Sequence, residues 1–98
     1  MSQTVNVTLI GKAGCHLCDD ARVVVNAVLG DFRAQNTGVA RHIQVNFVEH
    51  DILVDEDLAA KYQDEIPVVL INGKVHNYWR IDPERLRGAL DDLANWKI

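Results

Sequence analysis

The chain has 98 residues, of which 48% are hydrophobic and 24% are charged. These proportions are ordinary for a soluble globular protein, and the length predicts one domain over residues 1–98. No apolar run approaches the roughly 20 residues that a membrane helix needs. The net charge of −4 and the scattered Lys and Arg argue against a nucleic-acid partner. The first residues lack the basic and apolar segments of a secretory signal, so we expect a cytoplasmic protein.

The first half of the chain predicts a strand, a long helix and a second strand. Apolar residues alternate from Val5 to Leu9, which is typical of a strand. The helix carries one apolar stripe at i+3 and i+4 spacing, expected to face a core: Leu17, Ala21, Val24, Val28 and Phe32. We expect this helix to continue past Gly30 and to stop at Asn-Thr-Gly, residues 36–38. The second strand is expected over residues 43–48.

The next part predicts a short helix and a β-hairpin. Asp55 should cap the helix, which is expected around residues 55–62. The hairpin covers residues 66–81, and Asn72-Gly73 supplies the positive φ angles of its tight turn. Its first strand is apolar on both faces, as in the middle of a sheet. In its second strand we expect Trp79 to pack in the core, on the same face as Val75 and Ile81.

A last helix begins at Asp82-Pro83, an N-cap followed by proline at the first helical position. Its buried stripe should be Leu86, Leu90 and Leu93. The predicted order is therefore β-α-β-α-β-β-α. Two parallel strands joined through a helix imply a right-handed crossover, and the hairpin adds antiparallel strands. We expect an α/β fold with a four-stranded mixed sheet and helices on both faces.

The two cysteines of the chain, Cys15 and Cys18, lie two residues apart where the first strand ends and the first helix begins. Cys15 should occupy about the N-cap, where unpaired N–H groups and the positive end of the helix dipole stabilise an anion such as a thiolate. A thiolate there can attack a disulfide, and Cys18, one helical turn further, can resolve the mixed disulfide that forms. The spacing therefore predicts redox chemistry.

Two alternatives compete with the redox interpretation. The pair could be half of a zinc site, but structural zinc commonly needs two such pairs, and the chain has no second CxxC motif. The histidines show no metal-ligand spacing among themselves, and we treat His42, His50 and His76 as surface residues. Two inert thiols are the other alternative. We expect no metal site.

The sequence resembles a known family. The order of elements, Cys15-His16-Leu17-Cys18 after the first strand, and Ile66-Pro67 before the third strand resemble the thioredoxin superfamily. The small size is most similar to that of glutaredoxins. The segments GKAGCHLCDDA, IPVVLING and WRIDP are similar to a poorly characterised glutaredoxin-like branch, and the resemblance covers essentially the whole chain.

The resemblance implies roles for individual residues. Cys15 corresponds to the attacking cysteine and Cys18 to the resolving one. Pro67 corresponds to a cis-proline beside the active-site disulfide, which leaves the backbone of Ile66 free to pair with an extended thiol substrate. Lys12 matches a lysine three positions before the attacking cysteine, where its charge would favour the thiolate and could meet a glutathione carboxylate.

The remaining substrate-binding candidates are His16, Leu17, Glu65 and Asp82. His16 stands between the cysteines, where many glutaredoxins have proline. Glu65-Ile66-Pro67 replaces the usual Thr-Val-Pro, and no Gly-Gly pair precedes the last helix, although Asp82 could partly substitute for the acidic residue that follows that pair. These departures weaken the inference of glutathione binding more than the inference of redox activity.

We expect a glutaredoxin-like thiol–disulfide oxidoreductase, an enzyme that reduces protein or glutathione mixed disulfides without a prosthetic group. Its partners would be a disulfide-containing protein or a small thiol, with glutathione or a thioredoxin reductase as the source of electrons. We expect a monomer with no nucleic-acid or membrane partner. The alternative is a non-enzymatic thioredoxin-fold module, such as an iron–sulfur cluster carrier or a metal-binding or interaction domain.

Overall fold

The structure is a computed structural model that describes residues 2–35 and 42–95. Four strands and three helices follow the predicted order: β1 (Ser2–Gly11), α1 (His16–Gln35), β2 (His42–Asp51), α2 (Glu56–Tyr62), β3 (Val68–Ile71), β4 (Lys74–Tyr78) and α3 (Pro83–Asn95). The predicted stop of the first helix at residues 36–38 lies outside the described residues. Within the described ranges, no helix is both long and apolar enough to span a bilayer.

The strands form one mixed sheet in the order β2-β1-β3-β4. β1 pairs with β2 in parallel and with β3 antiparallel, and β3 pairs antiparallel with β4. The crossover helix α1 joins the parallel pair, as the sequence predicted. This arrangement brings the end of β1, the end of β2 and the start of β3 to the same edge of the sheet.

The two faces of the sheet bury separate apolar clusters. On one face, alternate residues of β1 pack with α1 and α3, and the large fully buried side chains there include Phe32, Leu29, Leu86 and Leu90. On the other face, Ile10 and Val68 pack with Tyr62 of α2. Helices therefore cover both faces, which confirms the predicted layers.

Local signals in the sequence explain the element boundaries. The Asp55 carboxylate accepts a hydrogen bond from Leu58 N–H at 3.1 Å and caps α2. Asp82 accepts from Glu84 N–H at 2.9 Å and caps α3. Asn72 and Gly73 have φ angles of 51° and 84°, as a tight two-residue hairpin turn requires. These three predictions are confirmed.

The prediction that Trp79 packs in the core is wrong. β4 ends at Tyr78, one residue before Trp79, and Trp79 turns out of the strand with a φ of 64°. Trp79 is 54% exposed and Val75 is 49% exposed, while Ile81 alone of the three is buried. A register irregularity opposite Val69 and Leu70 breaks the alternation on which the prediction depended.

Two smaller predictions also need correction. The apolar stripe of α1 predicts a buried Leu17, but Leu17 is 40% exposed, and Cys18 is buried instead. His76 is half-buried rather than a surface residue, and its Nε2 atom is buried without a hydrogen-bond partner. Burial lowers the pKa of His76, and the nearby Arg85 lowers it further. The side chain of His42 lies outside the described part of the chain, whereas His50 is exposed.

Gly30 offers a test of how α1 is stabilised. It lies inside the helix, as predicted, and a methyl group added there would meet no atom within 4 Å. Gly30→Ala should therefore raise the free energy of unfolding by about 0.5–1 kcal/mol, since alanine loses less conformational freedom in a helix. Chemical denaturation measures the change. A loss of stability would show that this turn of α1 is not helical or not open to solvent.

Candidate functional site

Cys15 and Cys18 lie at the start of α1, beside the edge of the sheet where three strand ends meet. Cys15 is half-buried, directly before the first helical residue, and its carbonyl accepts from Asp19 N–H at 3.0 Å. The N–H of Cys18 donates to Cys15 Sγ at 3.3 Å. Cys15 thus caps α1 as predicted, because its sulfur takes the position of the usual N-cap oxygen. Both cysteines are free thiols.

Cys18 lies inside the protein and is only 1% exposed. It packs against Gly11, the last residue of β1. A methyl group on Gly11 would stand 2.9 Å from Cys18 Sγ and 3.1 Å from Cys18 Cβ, both closer than unstrained contacts allow. Glycine at the end of β1 is therefore what allows the first turn of α1 to approach the sheet so closely.

The surroundings of Cys18 hold its thiol in the protonated form. Burial, followed by the hydrogen bond of its side chain with Cys15, raises the pKa of Cys18 to about 11. A hydrogen bond from the Lys12 backbone acts in the opposite direction, and the Asp19 charge adds to the increase. Cys18 at neutral pH is a neutral thiol, while Cys15 faces the N-terminal end of α1.

Pro67 directly precedes β3, and the Ile66–Pro67 peptide bond is cis, as the resemblance implied. The antiparallel register pairs Ile10 with Val68. Pro67 therefore lies one residue beyond this pair, at the level of Gly11, against which Cys18 packs. The first turn of α1 with Cys15 and Cys18, called the cysteine turn below, therefore lies at the same edge of the sheet as Pro67.

The prediction that the backbone of Ile66 is free to pair with a substrate is wrong for its N–H group. Ile66 N–H donates to the Tyr62 carbonyl at 3.1 Å, and the neighbouring Glu65 N–H donates to the same carbonyl at 2.8 Å. Both residues are half-buried. The turn after α2 uses these donors, so an extended substrate could pair at Ile66 only through the carbonyl.

The other candidates lie around the cysteines or further away. Lys12 and His16 are exposed on either side of Cys15 in the sequence, and Leu17 is exposed between the cysteines. Lys12 and Cys18 also line a cavity of about 300 Å³ with residues of β2 that include Glu49 and Asp51. Glu49 in this cavity is held by Arg22 at 2.6 Å. Asp82 is engaged in capping α3, where its carboxylate accepts hydrogen bonds from Glu84 N–H and Arg85 N–H.

Sequence reasoning missed Trp79 as a candidate. Trp79 lines a second cavity, an open groove of about 300 Å³ next to the cysteine turn, together with Leu17 and Arg80. The sequence signal for it is an aromatic residue close to the start of the last helix. Strict alternation along the preceding strand instead places Trp79 on the buried face, which excludes it as a binding residue.

The described residues do not contain a ready metal site. Across residues 2–35 and 42–95, no group of three or more His, Cys, Asp or Glu side chains is placed to hold a metal ion. The paired thiols are thus the chemically distinctive groups of this edge of the sheet. Their unequal exposure matches an attacking and a resolving thiol.

Known proteins resemble this chain in sequence and in structure. Residues 6–91 match the model of a family described as "Glutaredoxin-like domain (DUF836)". Uncharacterised proteins of Mycobacterium tuberculosis and Mycobacterium bovis are 32% identical over 84 residues, which cover 86% of this chain and 80% of theirs.

Two solved structures share the fold. The X-ray structure of a structural-genomics target protein from X. campestris gives a TM-score of 0.63 at 27% identity, over 87% of this chain and 95% of that chain. The structure of a malarial protein gives a TM-score of 0.58 at 16% identity, over 94% of this chain and 98% of that chain, and this likeness shows the fold alone. The fold is thioredoxin-like, as the order of elements predicted.

The thiols should differ in reactivity with pH. Iodoacetamide reacts with the thiolate, so at pH 7 it should label Cys15 first, while Cys18 stays protonated and buried. Labelling of Cys18 should rise only as the pH approaches about 11, the pKa of its thiol. Peptide mapping by mass spectrometry after timed labelling separates the two sites. Faster labelling of Cys18 than of Cys15 at pH 7 would contradict the observed burial.

The Gly11–Cys18 contact gives a second test. Gly11→Ala should lower the free energy of unfolding by about 1–3 kcal/mol, because the added methyl group overpacks the junction of β1 and α1. Adding Cys18→Ala removes Sγ and should restore part of the loss in a double-mutant cycle. Gly30→Ala, at an open position of the same helix, is the matched control. Gly11→Ala at wild-type stability would show that α1 can move away from β1 at no cost.

Proposed function

Because the chain belongs to the family of glutaredoxin-like domains, we propose that it is a thiol–disulfide oxidoreductase in which Cys15 and Cys18 form the redox-active dithiol. The observation that carries the proposal is the inequality of the two thiols within one helical turn. Cys15 is accessible and accepts the Cys18 N–H, whereas Cys18 is buried behind it. Such a pair can react in a fixed order.

In the first step, the Cys15 thiolate attacks one sulfur of a substrate disulfide. A bond forms between Cys15 and that sulfur, the substrate S–S bond breaks, and the other substrate sulfur leaves as a thiolate that takes up a proton. The Cys18 N–H contacts Cys15 Sγ and stabilises negative charge on it. The product is a mixed disulfide between Cys15 and the substrate.

In the second step, Cys18 loses its proton to solvent or to the departing thiolate and attacks Cys15 Sγ. The Cys15–Cys18 disulfide forms, and the remaining substrate thiolate leaves. Two electrons and two protons have then passed from the dithiol to the substrate disulfide. The raised pKa of Cys18 keeps this thiol protonated at neutral pH, so Cys15 makes the first attack.

The oxidised dithiol needs a thiol reductant to restore it. Two equivalents of a small thiol such as glutathione, or one turnover of a reductase of the thioredoxin reductase class, would supply the two electrons. Lys12 and His16, exposed beside Cys15, are proposed to contact the substrate near the reacting sulfur. Glu65 is half-buried on the turn before Pro67 and adds a carboxylate there that disfavours the carboxylates of glutathione.

Trapping experiments test the mechanism directly. Cys18→Ser should form a mixed disulfide with a disulfide substrate and accumulate it, because the resolving thiol is absent. Cys15→Ser should trap no substrate and turn nothing over. Intact-mass spectrometry measures the adduct, and reduction of a peptide disulfide, driven in parallel by glutathione with glutathione reductase or by a thioredoxin reductase, measures turnover and identifies the reductant.

Two outcomes would contradict the proposal. Full turnover in both single variants would remove the cysteines from the mechanism, and trapping by Cys15→Ser alone would reverse their roles. The double variant Cys15→Ser with Cys18→Ser is the control for nonspecific adducts in the trapping experiment.

The absorption spectrum of the protein purified without oxygen distinguishes the oxidoreductase from the alternative, an iron–sulfur carrier, because a bound cluster colours the protein brown.

A further inference from the structure

The backbone conformation of Trp79 and the exposure of its side chain are not explained by packing alone. Among the described residues, the non-glycine positions with positive φ are Asn72 and Trp79. Asn72 lies in the hairpin turn, where asparagine adopts this conformation readily. A bulky aromatic residue at a φ of 64° is a rare outlier, and such residues cluster at binding and active sites. Trp79 also leaves 54% of its surface exposed.

Two hydrogen bonds and one ring contact fix Trp79 in place. Its N–H donates to the Pro67 carbonyl at 2.9 Å, and its indole Nε1–H donates to the Asp64 carbonyl at 3.0 Å. The ring of Tyr78 lies edge-on, with the ring centres 5.0 Å apart. The indole is thus anchored to the turn that leads into Pro67, and one part of it remains in solvent. It is a rigid apolar platform tied to the edge of the proposed active site.

This platform forms one wall of a groove of about 300 Å³ between the start of α1 and the segment after β4. The groove is lined by Leu17, Asp20, Ala21, Val24, Trp79, Arg80 and Ile81. Leu17 lines the same groove from α1, is 40% exposed, and stands between the two cysteines in the sequence. Because Leu17 lines the groove and follows Cys15 by two residues in the chain, we expect a residue next to a cysteine bonded to Cys15 to lie beside the groove.

The lining determines which residue fits. Leu17 and the indole are apolar and exposed, so an apolar side chain between them would remove three surfaces from water. The charged rim residues Asp20 and Arg80 have opposite signs, so the groove has no net charge that would select an ion. Glutathione has charged ends and no large apolar side chain, and it would leave both walls in water.

We propose that Trp79, which lines this groove together with Leu17, is a specificity-determining residue that selects polypeptide disulfides in which a large apolar residue flanks the reacting cysteine. The occupant of the groove is that apolar side chain, held while the adjacent sulfur reacts with Cys15. This inference rests on the proposed function and names its substrate class. The first step is unchanged: Cys15 bonds to the substrate cysteine, and the other sulfur of the substrate disulfide leaves as a thiolate.

Three chromogenic probes test the inference. Two are blocked pentapeptides with a central cysteine, flanked on both sides by Leu in the Leu probe and by Ala in the Ala probe, and the third is glutathione. Each cysteine is bonded to thionitrobenzoate, the better leaving group, so attack by Cys15 releases a coloured thiolate. The second-order rate is measured in Cys18→Ser, which isolates the first step. The Leu probe should react about tenfold faster than the Ala and glutathione probes.

Trp79→Gly should remove this preference. Glycine accepts the positive φ and keeps the N–H that Trp79 donates to Pro67, so the backbone can stay in place without the indole. Trp79→Phe, which keeps an aromatic ring, should retain part of the preference, and this second variant covers a failure of the first to fold. Val54→Ala changes an apolar residue that is 85% exposed and outside the groove, and it should keep the full preference.

The outcomes separate this inference from the proposed function. Equal rates for the Leu and Ala probes in the wild-type groove, or a faster glutathione probe, would overturn the role of Trp79 while leaving the redox mechanism intact. An equal loss of rate with all three probes in Trp79→Gly would mean that Trp79 only supports the turn at Pro67. That result would also overturn the role of Trp79 in specificity. Reaction of none of the probes, with Cys15 shown to be a free thiol, would refute the proposed function itself.

Discussion

The contact between Cys18 and Gly11 is the constraint from which the site follows. Because the end of β1 carries no side chain at Gly11, the first turn of α1 approaches the sheet until Cys18 Sγ would touch any Cβ placed there. Cys18 is then inside the core, and Cys15, three residues earlier, is left at the helix terminus and at the surface. One packing contact thus produces two thiols of different exposure, and burial, together with the hydrogen bond to Cys15, raises the pKa of the inner thiol to about 11.

The loops around this contact are tied to one another by backbone hydrogen bonds. Ile52 N–H donates to the Gly11 carbonyl at 2.9 Å, which connects the segment after β2 to the end of β1. Trp79 connects the segment after β4 to Pro67, at the start of β3. The parallel pairing of β1 and β2 and the antiparallel pairing of β3 bring these segments to the same edge. The thiols, Pro67 and Trp79 therefore meet through topology, although they are far apart in the sequence.

Most of the fold could be predicted from periodicity and caps, since each signal is local. The positions of Asp55, Asp82 and Asn72-Gly73 sufficed to place two helix starts and a turn. The errors come from non-local pairing: the register between β3 and β4 slips between Val69 and Leu70, so strict alternation assigns Val75 to the wrong face. The helical periodicity predicts a buried side chain at Leu17, but the buried side chain is that of Cys18, one position later. Only the packing of Cys18 on Gly11 decides which of the two faces inward. The candidate site was predicted at its cysteines and at Pro67, where the motif is local, and missed at Trp79, whose backbone conformation no residue type indicates.

The site thus combines a buried part that tolerates little change with an exposed part that tolerates more. Any side chain at Gly11 would collide with Cys18, so the geometry of the thiols is coupled to the stability of the fold. Leu17 meets solvent instead, and replacing an exposed side chain of this kind usually changes stability by less than about 0.5 kcal/mol. The backbone of Trp79 keeps a defined position because its N–H donates to the Pro67 carbonyl. In the proposed mechanism, a thioredoxin-like scaffold built in this way would vary its substrate contacts at Trp79 and Leu17, while the core would keep the order in which the two thiols react.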